Sequence, residues 1–191
     1  VNVTLSAGGA VYYTTDCTAP TIHSQVYTGP IRITSTTVFR VLHVEEGKKP
    51  SKILDLTYLV NEKDTLGTIC IVTDPDNLWD YYNGIYVMGP GASTVSPYHG
   101  ANFWMDWEKE ATVSLFEAEG GGFYSPCGLK IFGVYSRANA KKSLVCFFRG
   151  QYGASSLNYS LFGDAGLDTY EAFVLRAGGQ DTFIGRIRVE M

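Results

Sequence analysis

Apolar and polar residues alternate over Val1–Ser6, where Val1, Val3 and Leu5 face away from Asn2, Thr4 and Ser6. This period of two predicts a half-buried strand. Gly8-Gly9 marks a turn, and Val11–Thr15 is a β-branched and aromatic run broken by Asp16-Cys17-Thr18-Ala19-Pro20. Tyr27-Thr28-Gly29-Pro30 turns the chain into Ile31–Thr34 and then Thr37–Val44; Gly47-Lys48-Lys49-Pro50 turns it again into the alternating Lys52–Val60. Five short strands in about sixty residues predict half of a β-sandwich. Lysine and proline at its turns blunt exposed sheet edges.

The polar segment Asn61-Glu62-Lys63-Asp64 breaks this rhythm and is read as a boundary, giving units of residues 1–60 and 61–191. Beyond it the pattern predicts a strand at Gly67–Thr73, a turn at Asp74-Pro75-Asp76-Asn77 and a glycine-rich loop from Gly89 to Gly100. Further strands are expected from Ala111 to Phe116, then, past a Gly120-Gly121-Gly122 turn, at Gly128–Tyr135, Ser143–Arg149, Ser156–Phe162 and Glu171–Leu175. Helical periodicity is nearly absent, with one short candidate after Asp181. Both parts read as mainly β.

Composition narrows the classes. The chain has 191 residues, 45% hydrophobic and 18% charged, which fits a folded domain and argues against disorder. Aromatics reach 14% and there are 21 glycines, a mix suited to strands joined by tight turns. A net charge of −4 leaves no electrostatic footprint for nucleic acid. The apolar runs fall well short of the roughly 18 residues of a membrane-spanning helix. The first residue is Val1 and not Met, so the chain reads as a piece of a longer protein, and the lack of an opening signal segment says nothing about export. Cys17, Cys70, Cys127 and Cys146 lie far apart with no CxxC pair, and His23, His43 and His99 are scattered, a pattern of buried small hydrophobes rather than a zinc site. One disulfide remains open, in an unspecified pairing. The sequons at Asn2 and Asn158 matter only in a eukaryotic secretory setting.

Two resemblances enter here. Residues 12–21, Tyr-Tyr-Thr-Thr-Asp-Cys-Thr-Ala-Pro-Thr, with Tyr27-Thr28-Gly29-Pro30-Ile31, Thr36–Val41 and Pro50-Ser51, resemble the fibronectin-III-associated (chitobiase C-terminal-like) repeats of exported bacterial proteins over about residues 1–60. Cys17 stands where that family usually has glycine. From about residue 66 the chain resembles the N-terminal part of the CotH-like family, relatives of the spore-coat protein kinases. The stretches concerned are Asn83–Val87, Ala101–Glu108, Gly133–Arg137, Lys141–Leu144 and Phe173–Asp181. The resemblance ends before the segment that supplies that family's metal-binding and catalytic carboxylates. The fold class implied is mainly β, an incomplete Ig/Fn3-like sandwich followed by a strand-rich domain resembling a CotH kinase N-terminal lobe.

Phosphoryl transfer needs a cation on the nucleotide phosphates, carboxylates for magnesium and a base for the acceptor. Lys142 enters a strand whose alternation continues through Leu144, Cys146 and Phe148, so one lysine points inward while Lys141 faces water. By resemblance, Lys142 is the nucleotide lysine and Arg137 a phosphate neighbour, with Lys141 a third candidate. Spacing alone favours an ordinary solvated strand entrance. No P-loop is present, because Gly133 to Lys142 has the wrong spacing. Asp106, Glu108 and Glu110 share a face if extended, a metal or acid–base arrangement that a solvated strand face matches as well. Asp74-x-Asp76-Asn77-x-x-Asp80 offers oxygen ligands for calcium but lacks the glycine and glutamate of an EF-hand, which favours a plain turn. Tyr81, Tyr82, Tyr98, Phe103, Trp104 and Trp107 lie in or beside the loop around residues 80–107. Aromatic rings on loops stack on sugar rings, and the candidates for this are Tyr98, Trp104 and Trp107; core packing is the competing use of such rings.

Two functions follow. In the first, the chain is part of an exported bacterial CotH-like protein whose full length is an atypical kinase using ATP with Mg or Mn and a protein acceptor; this chain alone is expected to be inactive. In the second, it is a non-catalytic module that binds polysaccharide, or an adhesion module, in a secreted, surface or cellulosome-type protein. Both place it outside the cell or on its surface, joined to the remainder of its parent, with no nucleic-acid partner.

Overall fold

In the computed structural model, residues 1–62, 65–163 and 166–178 are described. The fold is mainly β, with several antiparallel sheets and no closed barrel among these residues. The expected boundary residues Lys63 and Asp64, the end of the CotH-like stretch at Gly179–Asp181, and the helix candidate after Asp181 lie outside the described residues.

Six strands open the chain: β1 (Asn2–Val3), β2 (Ala10–Thr14), β3 (Gln25–Val26), β4 (Ile31–Arg32), β5 (Thr37–Val44) and β6 (Leu54–Tyr58). One sheet runs β3-β2-β5-β6, and β1 pairs separately with β4. All these pairings are antiparallel. The alternation dictates the core. Val3 and Ile33, at the β1–β4 pair, pack with Val11 and Tyr13 of β2 and Phe39 and Val41 of β5. Phe39 is fully buried, its ring 5.6 Å from Tyr13 and edge-on to Tyr58 at 6.0 Å. Removing such a side chain from water contributes about 1.5–3 kcal/mol.

The opposite face of β5 carries Arg40, which the strand register sets directly across from Asp55 of β6. Both are buried, and Arg40 Nε donates to Asp55 Oδ1 at 2.9 Å. Arg40 Nη1 donates to the Cys17 carbonyl at 2.9 Å and lies 3.8 Å from Asp74, whose Oδ2 accepts from the Ala19 N–H at 2.8 Å. Cys17 sits at φ +66, the left-handed region that favours glycine. The turn around it is closed by Asp16 Oδ1, which accepts from the Thr18 N–H and hydroxyl.

The later strands are β7 (Thr68–Val72), β8 (Lys109–Phe116), β9 (Gly122–Phe132), β10 (Ser143–Phe147), β11 (Leu157–Asn158), β12 (Thr169–Tyr170) and β13 (Ala172–Leu175). The larger sheet has the order β13-β10-β9-β8-β7, and β11 pairs with β12. The chain divides into one compact unit of Val1–Asp74 with Ser114–Gly122 and a second of Pro75–Val113 with Phe123 onward. In the second unit the buried residues Ala111, Val113, Cys127, Leu129, Ile131, Val145 and Cys146 come from β8, β9 and β10. All four cysteines are free thiols. A hydrogen bond to Cys146, together with burial, pushes the Cys127 thiol far up.

Several elements differ from expectation. Asp74–Asn77 is not a plain turn: Pro75 opens a short helix, α1 (Pro75–Trp79), a first-turn position where its missing N–H costs nothing. β9 starts at Gly122, six residues before the expected Gly128, and stops at Phe132 because Gly133 takes φ +113 and Tyr135–Ala138 wind into a 3₁₀ turn. Of Ser156–Phe162 only Leu157–Asn158 is a strand, since its partner β12 is equally short.

Candidate functional site

Two of the three nucleotide candidates come together. Arg137 lies in the 3₁₀ turn Tyr135–Ala138, and Lys142 at the foot of β10. Lys142 is only 7% exposed, whereas Lys141 is exposed. Lys142 Nζ donates to the Arg137 carbonyl at 2.6 Å and the Asn139 carbonyl at 2.8 Å. It also stands 4.0 Å from the centroid of Phe103 and 5.4 Å from that of Tyr86, within cation–π range. Burial pushes its ammonium below the usual lysine range. The Lys142 N–H donates to the Tyr86 hydroxyl at 2.9 Å. Arg137 Nε donates to the Gly133 carbonyl at 2.5 Å and Nη1 to the Phe103 carbonyl at 3.3 Å. Both cations therefore hold main-chain carbonyls, and contact with a phosphate requires Lys142 Nζ to leave two of them.

The carboxylates are engaged separately. Asp106 pairs with Lys130, whose ammonium holds that carboxyl below the usual range. Glu108 takes a two-pronged contact from Arg149, with Nε at 2.9 Å and Nη2 at 3.1 Å. Gly128 leaves room for it, since a Cβ there would strike the Glu108 side chain. Asp106 and Glu108 precede β8, whereas Glu110 lies within it. Asp80 Oδ1 accepts from the N–H groups of Tyr82 at 3.0 Å and Asn83 at 2.7 Å, while Asp74 binds Ala19. Among the described residues, no group of three or more His, Cys, Asp or Glu is placed to hold a metal ion. No helix among them is long and apolar enough to cross a membrane.

The aromatic candidates are half-buried. Trp104 Nε1 donates to the Pro97 carbonyl at 2.8 Å, and its ring lies 5.0 Å from His99. Tyr98 has φ +61 and sits in the turn closed by its N–H to the Val95 carbonyl at 2.8 Å. Trp107 has Lys109 Nζ 5.5 Å from its ring. The strongly exposed rings of this region are Trp79, Tyr81 and Tyr82, at the end of α1 and in the turn after it. Trp79 carries no signal by hydropathy, because an apolar ring in an aromatic-rich chain reads as core. The cue is positional: Pro75 opens one helical turn that ends at Trp79, and Tyr81 and Tyr82 follow in the turn before Gly84, which leaves the three rings on an exposed tip.

That tip is rigid. The Gly84 N–H donates to the Asp80 carbonyl at 2.8 Å, Ile85 N–H to Asn77 at 2.9 Å and Tyr86 N–H to Leu78 at 3.0 Å. Buried Asn102 reaches in from the 3₁₀ turn Asn102–Trp104, and its Nδ2 donates to the Tyr81 carbonyl at 3.0 Å and the Gly84 carbonyl at 3.1 Å. Gly89, at φ +68, lies so close to Asn102 that a Cβ there would overlap its amide.

Comparison with known proteins bears on the first part of the chain. No curated protein and no solved structure matches it. The CotH-like resemblance after residue 66 rests on the sequence stretches alone. Residues 1–55 match the family model of the chitobiase/beta-hexosaminidase C-terminal domain, a match to less than a third of the chain that makes this part similar to a carbohydrate-related module.

Proposed function

We propose that the chain is a non-catalytic carbohydrate-binding part of a larger exported protein. The observation that carries this reading is the match of residues 1–55 to the chitobiase/beta-hexosaminidase C-terminal domain. The second unit supports it from chemistry: Lys142 and Arg137 are spent on main-chain carbonyls, Asp106 and Glu108 on separate ion pairs, and exposed aromatic rings remain available on a fixed tip. Aromatic faces bind the C–H-bearing face of a sugar ring, and the phenol and indole groups at their rims supply hydrogen bonds. Affinity electrophoresis of the chain in gels containing hydroxyethyl cellulose, xylan, glucomannan, glycol chitin or polygalacturonate tests the reading. Retardation by at least one glycan is expected, and unretarded migration in every gel would contradict it.

A further inference from the structure

We infer that Trp79, Tyr81 and Tyr82 form the sugar-contacting surface and that it takes an extended, uncharged polysaccharide chain. This rests on the carbohydrate-binding reading and goes beyond it by assigning the residues and the ligand class. Trp79 is 59% exposed, Tyr81 56% and Tyr82 65%, within four consecutive residues. Large rings held out in water forgo the stabilisation of burial, and a cluster of them marks an interaction surface.

The Trp79 ring is backed by another ring, and the turn that carries Tyr81 and Tyr82 is fixed through its backbone. The Trp79 ring lies 5.2 Å from that of Tyr86, whose hydroxyl accepts from the Lys142 N–H. The backbone of Tyr81 is tied down by Asn102, and that of Tyr82 by Asp80. Lys142, Tyr86, Asn102 and Asp80 are thus positioning residues for the rings. A surface already rigid before binding loses little entropy when it meets its ligand. Rings with polar rims in place of aliphatic side chains suit a hydroxyl-rich partner more than an apolar helix.

The rings of Tyr81 and Tyr82 meet at 81°, so they cannot both lie flat on one sugar. One stacks while the other presents an edge and a hydroxyl to the next unit, which calls for a chain of several sugars. Charge sets the class. No Lys or Arg occurs along the chain between Lys63 and Lys109, the Lys142 ammonium behind Tyr86 is buried on two carbonyls, and the Asp80 carboxylate sits in the turn that carries Tyr81 and Tyr82, a setting that disfavours a polyanion.

The test repeats the electrophoresis with Trp79→Ala and Tyr82→Ala, with Trp104→Ala and Trp107→Ala in the loop and Phe162→Ala as an exposed ring elsewhere, after circular dichroism has shown each variant folded. A neutral glycan should retard the unaltered chain and Phe162→Ala alike, with affinity falling roughly tenfold or more in the two platform variants. Titration with oligosaccharides of that glycan should show tighter binding to a hexasaccharide than to a disaccharide. Full retardation of both platform variants, or loss confined to Trp104→Ala or Trp107→Ala, overturns the platform while the carbohydrate reading stands. Retardation by polygalacturonate alone, or equal affinity for disaccharide and hexasaccharide, overturns the ligand class. No retardation of the unaltered chain in any gel overturns both the platform and the reading beneath it.

Discussion

Cys17 and Lys142 each do something that their residue type makes costly. Cys17 adopts φ +66 and turns its carbonyl to Arg40. A side chain in that region costs roughly 1 kcal/mol that glycine avoids. Cys17→Gly should therefore stabilise the fold by about 0.5–1 kcal/mol in urea unfolding, the gain being trimmed by glycine's freer unfolded chain. An unchanged or lower stability would show that the thiol contributes packing which outweighs the strain. Lys142 gives its ammonium to two carbonyls and two ring faces. Lys142→Met leaves those carbonyls without donors and should cost about 1–3 kcal/mol. It should also alter the pH response. Burial lowers the folded-state value of Lys142 below its ordinary 10.5, so between the two the unfolded chain holds more protons and stability rises with pH. Unfolding curves measured on the alkaline side of neutrality should show that rise in the unaltered chain and lose it in Lys142→Met. The sequence pattern correctly sets Lys142 inward and Lys141 outward, because strand alternation governs direction. Alternation says nothing about which carbonyls receive the ammonium, since these come from the 3₁₀ turn after Gly133 and from Asn139, which caps it.

Individual elements show why some boundaries are readable and others are not. Thr37–Val44 emerges with the expected ends because both neighbours, β2 and β6, pair along it and fix its length. Gln25–Val26 leaves no trace in the pattern because two residues are too few for a period to register. The Arg40–Asp55 pair is equally hidden, since a charged residue inside a strand normally reads as the solvent face. The register instead sets the two opposite each other in a buried position. Asp55→Ala strands the Arg40 guanidinium beside a more distant Asp74 and should cost about 3–5 kcal/mol. A loss below about 1 kcal/mol in urea unfolding, within the range of an exposed pair, would mean that Asp74 takes over. The tip between α1 and Gly84 hangs on Asn102 in the same way. Asn102→Ala leaves the Tyr81 and Gly84 carbonyls without their donor, should cost about 1–3 kcal/mol, and should weaken glycan retention by loosening the rings. Retention equal to that of the unaltered chain would separate the tip's rigidity from binding.

At the scale of the molecule, the mainly β class is legible because strand periodicity, aromatic content and glycine turns all agree. The candidate site is less so. The sugar candidates Tyr98, Trp104 and Trp107 stand out by their place in or beside a glycine-rich loop, but that loop folds back on itself. There Trp104 bonds Pro97 and Tyr98 closes a turn with Val95. Sequence distance cannot tell a loop that packs from a tip that protrudes; the difference lies in hydrogen bonds such as those of Asn102 and Asp80. The chain contains three tryptophans, and their indole N–H groups give three separable reporters in a nitrogen–proton correlation spectrum. Titrating the chain with a soluble hexasaccharide of the glycan that retards it tests the central claim most directly. The Trp79 indole signal should shift progressively while that of Trp104, already bonded to Pro97, stays in place. Stationary signals from all three, or shifts at Trp104 and Trp107 with none at Trp79, would contradict it.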